Sequence, residues 1–553
     1  MSTNEMRRLP RNNLLKSLQY LNDIYVVSGL VLIGLLLRLP SLRLGLWRDE
    51  AYTYFDALPV HLGEVFNRIT YTEFNPPGFY LIMNQWIQWF GAGEISLKLP
   101  PLLFGVLLIP ATYLLGRVVS SRGTGVAAAA ITTFAPASVY YSQEVRTYTL
   151  AALLCCCTVT AYCQALTRKS HPGYLAGFVV CATLLLHVHY AGFLVLGSLA
   201  MLTLVHWWYR VEPVRLLRFV LAFGIIFLLF TPWLQSFFVQ LQTGTPYDVQ
   251  QIWWKRPLVF LDNIFFYSYS PLYRPKGYYK LLQIVLAGLA VFALGMGTFQ
   301  IFSKSRESPP QWSIFLNPSV AIVGACFVLY TAMLAALSRH GRYMFPIAPL
   351  AWVLYGSWLL ALFQYVKNHW IGSHSQVMRR VAFGVFIGLL IALHVPHVLL
   401  GSVEKSGVKS LAADLGRQLP EKTFYLVSPD YLAATFGYYF AQYLVRFYGF
   451  ARWERPEIWT AQGYAALWDN PTVVAETIQR IRDEAQKDYQ RLAVIFENAK
   501  SSGQMNYSRG QELLSSLKQT YPLLEKKEYP GRIESVTLYI FSLTPHNNPA
   551  ATF

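Results

Sequence analysis

Charged residues are scarce in this sequence, and the acidic ones are the scarcest. Only 14% of the 553 residues are charged, with 29 Asp and Glu against 46 Lys and Arg, whereas 54% are hydrophobic. A soluble protein of this length would need far more polar surface, because single hydrophobic cores stop growing at roughly 250–300 residues. The composition therefore excludes a soluble enzyme and predicts a polytopic membrane protein.

Nucleotide-binding and disulfide signatures are absent as well. The sequence has no Walker loop, no Gly-rich dinucleotide fingerprint and no nucleophile elbow, which argues against a nucleotide-driven mechanism. All six cysteines lie in apolar segments, so we expect neither a disulfide framework nor a zinc site. The basic excess falls mostly in short loops, which indicates insertion topology and anionic lipid headgroups rather than nucleic acid.

Long apolar segments dominate the first 400 residues. A membrane-spanning helix needs about 20 apolar residues. On that basis we predict eleven spans: Ile24–Leu39, Leu99–Val119, Thr124–Tyr141, Tyr148–Leu166, Tyr174–His189, Ala191–Tyr209, Phe219–Leu234, Leu281–Phe302, Pro318–Leu337, Tyr343–Phe363 and Val381–Leu400. Pro77–Phe90 is shorter and contains three amide side chains, which predicts an interfacial helix in the first outer loop.

The loops then divide clearly between the two membrane faces. With eleven spans, the short basic loops share one face, which the positive-inside rule assigns to the cytoplasm. The polar tail lies on the other face and has strand-like runs at Thr423–Ser428, Arg491–Glu497 and Ser535–Ser542, alternating with helical stretches. We therefore expect a mainly α transmembrane bundle over residues 1–400 and a small extracytoplasmic α/β domain over residues 401–553.

An acidic pair, Asp49-Glu50, follows the first span by about ten residues. Carboxylates beside the hydrocarbon region lose hydration, so they persist where a partner or a reaction uses them. One of them could act as a general base, since partial desolvation raises a carboxyl pKa toward the operating pH. The pair could equally cap a short helix, with Arg48 neutralising its charge. The residues alone leave both interpretations open.

A second charged cluster, Gln143 to Tyr148, closes the third span. Glu144 could hold sugar hydroxyls and Arg146 an anion or a carboxylate, because the planar guanidinium binds oxygens in a bidentate way. Alternatively, the two residues anchor the membrane interface. Arg342-Tyr343 runs against the charge bias of the outer face, which favours an anionic ligand such as a lipid phosphate. His189 has no carboxylate at metal-ligand spacing, so we predict no metal site.

These motifs resemble the integral-membrane GT-C glycosyltransferases, in particular the protein O-mannosyltransferases and the lipid A aminoarabinose transferases. The resemblance covers about Leu36 to Phe363. It is carried by Trp47-Arg48-Asp49-Glu50-Ala51-Tyr52, Asn75-Pro76-Pro77-Gly78-Phe79-Tyr80, Glu144-Val145-Arg146-Thr147-Tyr148, His189-Tyr190, Pro232-Trp233 and Arg342-Tyr343. The chain departs from the aminoarabinose transferases at Tyr52 and Asn75, where that group has Arg and Lys.

The resemblance implies an inverting transfer of a hexose or pentose from a polyprenyl-phosphate-linked donor to an acceptor hydroxyl or amine. Asp49 matches the base that activates the acceptor, and Glu50 would support it. The implied substrate-binding residues are Glu144, Arg146, Tyr148, Asn75, Tyr52, His189, Arg342 and Tyr343. No cofactor is implied, and no ligand set for a divalent metal is defined.

The same resemblance implies a lipid-linked donor, a lipid, glycan or protein acceptor, and membrane lipids as partners, without nucleic acid. We expect the bacterial inner membrane, with the active site and the C-terminal domain on the periplasmic side. The alternative interpretation is a transporter or flippase for an anionic lipid or lipid-linked sugar. Transporters place ionisable residues near the bilayer midplane, often within internal repeats, whereas here the charges gather in the outer loops, which favours an enzyme.

Overall fold

A computed structural model describes residues 9–167, 172–210, 213–243, 318–337, 341–370, 404–416, 422–443, 445–450, 470–498 and 504–543, with a few positions between these ranges. The structure is mainly helical. The α-helices in the described residues before residue 400 are α1 (Leu9–Arg38), α2 (Arg48–Ala57), α3 (Leu62–Thr72), α4 (Gly78–Phe90), α5 (Glu94–Val119), α6 (Arg122–Phe134), α7 (Pro136–Tyr141), α8 (Tyr148–Thr167), α9 (Pro172–Val188), α10 (Ala191–Arg210), α11 (Pro213–Phe230), α12 (Leu234–Thr243), α13 (Pro318–Leu337) and α14 (Ala348–Trp370).

Six stretches of the described chain are long and apolar enough to cross a membrane. They are Asn22–Arg43, Glu94–Val119, Tyr148–Leu166, Leu216–Gln242, Ser319–Ala336 and Gly341–Ala361. Two shorter apolar helices, Pro172–Val188 and Ala191–Val205, accompany them. The protein is therefore a multi-pass membrane protein. Helices are present at nine of the eleven predicted spans, whereas Leu281–Phe302 and Val381–Leu400 lie outside the described residues.

The predicted third span, Thr124–Tyr141, is not one continuous helix. Helix α6 ends at Phe134, and α7 begins at Pro136 after an extended Ala135. Proline has no N–H, and its ring clashes with the carbonyl four residues earlier, so it kinks or breaks a helix, and here the helix breaks. The segment is therefore two helices rather than one continuous helix, and α7 leads directly into the loop that contains Glu144.

Three short helices, α2 to α4, form the first long loop. The predicted interfacial helix at Pro77–Phe90 is confirmed as a helix, α4, with 13 residues and glycine following at Gly91 in the left-handed region (φ 75°). Buried residues of α2, α3 and α4, including Ala57, Val65 and Phe79, join the same hydrophobic core as the long helices. The loop is thus packed onto the bundle rather than extended from it.

Residues 404–543, named here the sheet region, contain a five-stranded sheet. Its elements are α15 (Gly407–Leu415), β1 (Thr423–Ser428), α16 (Ala433–Phe440), β2 (Phe447–Gly449), α17 (Val473–Arg480), β3 (Arg491–Glu497), α18 (Gln504–Thr520), β4 (Leu523–Tyr529) and β5 (Val536–Ser542). The strand order is β2-β1-β3-β5-β4, with β1 parallel to β2 and β3 and with β5 antiparallel to β3 and β4. The three predicted strands are confirmed.

The sheet region has its own hydrophobic core, formed by buried residues of β1, β3 and β5 and the helices beside them. Tyr438 on α16 packs against both this core and that of the bundle. The strand order reverses at β1, because β2 lies on one side of it and β3 on the other, and the carboxyl ends of the parallel strands β1 and β3 lie at one edge of the sheet. Tyr431 and Glu497, just beyond β1 and at the end of β3, lie at this edge, and Arg48 packs against the Tyr431 ring with its guanidinium 4.5 Å from the ring centre.

Candidate functional site

Helix α2 begins at the acidic pair, and the two acids have different surroundings. Glu50 is fully buried, and its Oε2 accepts the backbone N–H of Trp47 at 3.2 Å, which caps the first turn. Its Oε1 accepts the backbone N–H of Val145 at 3.0 Å. Asp49 keeps 19% of its side chain exposed. The capping interpretation is therefore confirmed for Glu50. Asp49 is the acid of the pair whose side chain remains partly exposed.

Three arginines surround Asp49. Arg342 donates from Nη1 to Asp49 Oδ2 at 2.8 Å, and Nε of Arg48 lies 3.9 Å from Oδ1. Burial by itself would raise the pKa of this carboxyl, but Arg342, Arg146 and Arg48 together hold the Asp49 pKa below its ordinary value. Asp49 is consequently an ionised carboxylate at neutral pH, with cations on two sides. The raised pKa that the sequence predicts for a general base is therefore not found at Asp49.

Arg146 makes the most extensive contacts of the site. Its guanidinium binds Glu73 through two N–H···O contacts, Nη1 to Oε1 at 2.6 Å and Nη2 to Oε2 at 3.3 Å. Nη1 also donates to the carbonyl of Asp49 at 3.2 Å and to Thr53 Oγ1 at 3.1 Å. The sequence predicts that Arg146 binds either an anion or a carboxylate. In the structure it binds the carboxylate of Glu73. Arg146 thereby joins the 143–148 loop to α2 and to the turn before α4.

Glu144 lies in an apolar setting beside these charges. It is 2% exposed, and its Oε2 has no hydrogen-bond partner among the described residues. Burial raises the pKa of Glu144 to about 8; Lys405 counteracts this, whereas Glu50 and Asp49 reinforce it. Glu144 therefore holds a proton at neutral pH, and its unpartnered oxygen can donate to or accept from a bound hydroxyl.

An aromatic wall completes the cluster. The ring of His189 lies 5.8 Å from that of Tyr148 and 5.6 Å from that of Tyr343. The backbone N–H of Ala191 donates to His189 Nδ1 at 3.0 Å, which leaves the ring proton on Nε2. Nε2 is buried and has no partner in the described part of the chain, so it is a donor available to a ligand.

The remaining two predicted residues lie at the edges of the cluster. The hydroxyl of Tyr52 donates to the carbonyl of Tyr431 at 3.1 Å, so this side chain contacts the sheet region. Asn75 is buried at 7% exposure, and its backbone carbonyl accepts from Gln240 Nε2 at 3.4 Å. The structure thus gathers Asp49, Glu144 and Arg146 with Arg342 and the aromatic wall, and places Tyr52 and Asn75 beside them.

Two carboxyls of this site, Glu73 and Asp56, are absent from the predicted set. Asp56 is 4% exposed and accepts from the hydroxyl of Thr72 at 2.8 Å. Burial and the nearby Glu73 raise the pKa of Asp56 to about 8. The sequence could have indicated Asp56, because Asp49, Thr53 and Asp56 are spaced so that they lie on one face of a helix. Among the described residues no group of three His, Cys, Asp or Glu side chains is arranged to hold a metal ion.

No family model matches this sequence, and no curated protein matches it. Solved structures do. ArnT from Cupriavidus metallidurans in the apo state is similar over 94% of this chain and 98% of that chain, with TM-score 0.58 and 14% identity. The same protein bound to undecaprenyl phosphate has TM-score 0.52 and 15% identity over the same shares. The apo oligosaccharyltransferase from Archaeoglobus fulgidus has TM-score 0.50 and 14% identity, over 85% of this chain and 69% of that chain.

Both similar proteins, ArnT (an aminoarabinose transferase) and the oligosaccharyltransferase, are GT-C superfamily glycosyltransferases. At 14–15% identity, the similarity establishes the fold. The chain therefore has the GT-C fold, as the motifs predicted.

Proposed function

We propose that this protein is an inverting glycosyltransferase that moves a sugar from a polyprenyl-phosphate-linked donor to an acceptor hydroxyl or amine. The observation that carries the proposal is an ionised Asp49 carboxylate held between Arg342 and Arg48 in a GT-C fold. The complex of ArnT with undecaprenyl phosphate supports a polyprenyl phosphate as the leaving group.

The reaction requires a base on one side of the anomeric carbon and cations on the other. In the proposed step, Asp49 takes the proton of the acceptor hydroxyl or amine while the acceptor atom attacks the anomeric carbon. The bond from that carbon to the phosphate oxygen breaks, and polyprenyl phosphate leaves with both electrons. Arg342 stabilises the departing phosphate, because its guanidinium presents paired N–H donors to phosphate oxygens.

The ion pair between Arg342 and Asp49 links donor binding to base activation. In the structure, Arg342 Nη1 donates to Asp49 Oδ2 at 2.8 Å. A donor phosphate competes for the same guanidinium and so releases one oxygen of Asp49 for the acceptor. Glu144, protonated at neutral pH, and the Nε2–H of His189 then hold sugar hydroxyls as hydrogen-bond partners.

We place the enzyme in the bacterial inner membrane, with the site and residues 401–553 on the periplasmic side. The support for this orientation is the short basic loops, which the positive-inside rule assigns to the cytoplasm. Because the energy of the transfer is stored in the sugar-phosphate bond, a site on that side needs no nucleotide.

Release of free polyprenyl phosphate from a panel of polyprenyl-phosphate sugars tests the function. With a pool of candidate acceptors present, wild-type protein should release it, and Asp49→Asn should lower the rate roughly 10²–10⁴-fold, the usual loss for a general base. Glu64→Gln is the matched control, because this acid is 50% exposed on α3 and pairs with Arg68; it should keep wild-type turnover. Soluble nucleotide sugars should not serve as donors.

Two results would contradict the proposal. If Asp49→Asn turned over at the wild-type rate, Asp49 would not be the base. If no donor were cleaved while the purified protein moved lipid-linked sugars across proteoliposomes, the protein would be a transporter.

A further inference from the structure

The chain entering α2 is held by side chains from the far end of the sequence. Three backbone N–H groups ahead of and at the start of this helix donate to sheet-region side chains. The pairs are Gly45 N to Glu404 Oε2 at 2.6 Å, Leu46 N to Tyr439 Oη at 2.7 Å and Arg48 N to Glu534 Oε1 at 2.9 Å. The first N–H groups of a helix have no partner within it. Glu534 therefore satisfies the N–H of Arg48 at the first helical position, while Glu404 and Tyr439 fix the chain just before the helix and Glu50 supplies the local cap.

A buried ion pair reinforces the same junction. Lys405 Nζ lies 2.8 Å from Glu50 Oε1, and the two side chains are 1% and 0% exposed. Lys405 also donates to the carbonyl of Gln143 at 3.2 Å, and Glu50 accepts from Val145 N. One lysine of the sheet region therefore holds both α2 and the loop that contains Glu144.

Lys405 and Glu534 are themselves fixed relative to each other. The chain segments that contain these two residues are joined by backbone hydrogen bonds. Glu534 N donates to Lys405 O at 3.1 Å, and Gly407 N donates to Glu534 O at 2.8 Å. Glu534 is fully buried, and its second oxygen accepts from Thr435 Oγ1 at 3.2 Å. The paired backbone segments thus hold the Lys405 cation and the Glu534 carboxylate against the start of α2.

Helix α2 needs this support for physical reasons. It has ten residues, and isolated helices shorter than about 12–15 residues are marginal in water. The direction of the Asp49 carboxylate depends on the first turn of this helix. A displacement of about 1 Å at a reacting group can cost roughly 10²-fold in rate.

We propose that Lys405 and Glu534 are positioning residues of the transfer site, which hold Asp49 and Glu144 in register from outside the helical bundle. The proposal rests on the transferase function proposed above. In this proposal the sheet region contributes to the geometry of the active site through Lys405 and Glu534.

Amide hydrogen exchange of the purified full-length protein tests the proposal without relying on activity. Glu534→Ala removes the acceptor of Arg48 N–H, whereas Glu534→Gln keeps an amide oxygen there. Peptides covering residues 43–57 should exchange at least tenfold faster in Glu534→Ala and in Lys405→Met than in wild type. Glu534→Gln should lie close to wild type. Lys527→Met is the control, because this lysine is 51% exposed and pairs with Asp414.

Kinetics supply the second measurement. Lys405→Met and Glu534→Ala should lower kcat for polyprenyl phosphate release roughly 10–100-fold, with the donor KM within threefold of wild type, and Glu534→Gln should recover most of the loss. Exchange at residues 43–57 that stays at the wild-type rate in both variants would overturn the proposal, as would a loss confined to KM. If wild type cleaves no donor, the transferase function fails, and the exchange data still decide whether the sheet region holds α2.

Discussion

Asp49 and Glu144 are carboxyl groups of one site whose surroundings drive their pKa values apart. Arginines hold the pKa of Asp49 below its ordinary value against the effect of burial, whereas burial raises that of Glu144 to about 8. Divergent pKa values of this kind separate an ionised group from a proton-bearing one within one site. Asp49 is thus ionised at neutral pH, and Glu144 is suited to donate a hydrogen bond.

Glu144→Gln should stabilise the protein increasingly as pH rises. An unfolded Glu loses its proton near pH 4.3, whereas folded Glu144 keeps it to about pH 8. Between these values the folded state binds the extra proton, so wild type loses stability at up to about 1.4 kcal/mol per pH unit. The apparent Tm of the variant minus that of wild type should therefore grow from pH 5 to pH 8 and then level off.

Activity of the same variant separates the two possible roles of Glu144. Glutamine still donates a hydrogen bond, so Glu144→Gln should keep turnover within about tenfold of wild type, while Glu144→Ala loses more. A Gln variant as inactive as Ala, or a Tm difference that stays flat between pH 5 and pH 8, would show that Glu144 works as a carboxylate.

The sequence could locate these acids but could not divide their roles. Asp49 and Glu50 are adjacent and equally plausible as a base from their spacing alone. The difference comes from Arg342 and Lys405, which lie 293 and 355 residues away from Asp49 and Glu50 respectively. Contacts at such separations depend on how the bundle and the sheet region pack, which no local pattern encodes.

Among the helices, the break between α6 and α7 depends on one buried arginine. Arg38, at the end of α1, is fully buried and donates from Nη2 to the carbonyl of Thr132 at 3.2 Å and from Nη1 to that of Thr133 at 3.4 Å. It also binds Ser138 and Ser142 beyond the break. The carbonyls at the end of α6 have no helical partner, so Arg38 supplies the donors that the break removes.

Arg38→Met should therefore lower the stability of the bundle. Each buried carbonyl or hydroxyl left without a donor costs about 1–3 kcal/mol, so we expect a clear fall in the apparent Tm of the detergent-solubilised protein. Arg43→Met serves as the control, because Arg43 is exposed in the following turn. Equal Tm values for the two variants would show that other groups satisfy the end of α6.

Helices and strands were predictable where the sequence is continuously apolar. The long apolar runs predicted α5 and α8, and the apolar strands β1, β3 and β5 were recognised from composition. Strand β4 was not, because six of its seven residues are exposed and it contains Glu and Lys. It is an edge strand that pairs only with β5 among the described strands, so its position follows from the neighbour rather than from its own sequence.

For the complete chain, the orientation across the membrane yields a direct test. In right-side-out spheroplasts, added protease should cleave the region after Gly401, and in inverted vesicles it should not, because the short basic loops are expected on the cytoplasmic side. Antibodies to a C-terminal tag, read by immunoblot, would follow the cleavage.

A tag placed at the N-terminus provides the control for that measurement. With eleven spans the two ends lie on opposite sides, so the N-terminal tag should be lost only in inverted vesicles. Cleavage of both tags from the same side would require an even number of spans, and cleavage of the C-terminal tag from the cytoplasm would overturn the proposed orientation.

The pairing of Lys405 with Glu50 also has a consequence for the order of biosynthesis. The two residues are 355 positions apart, which at about 5–20 residues per second corresponds to roughly 20–70 s of translation. During that interval the bundle can insert, but Glu50 lacks its buried counter-ion, and the N–H groups of Gly45, Leu46 and Arg48 lack their sheet-region acceptors. The contacts that fix the start of α2 therefore form only after most of the chain has been made.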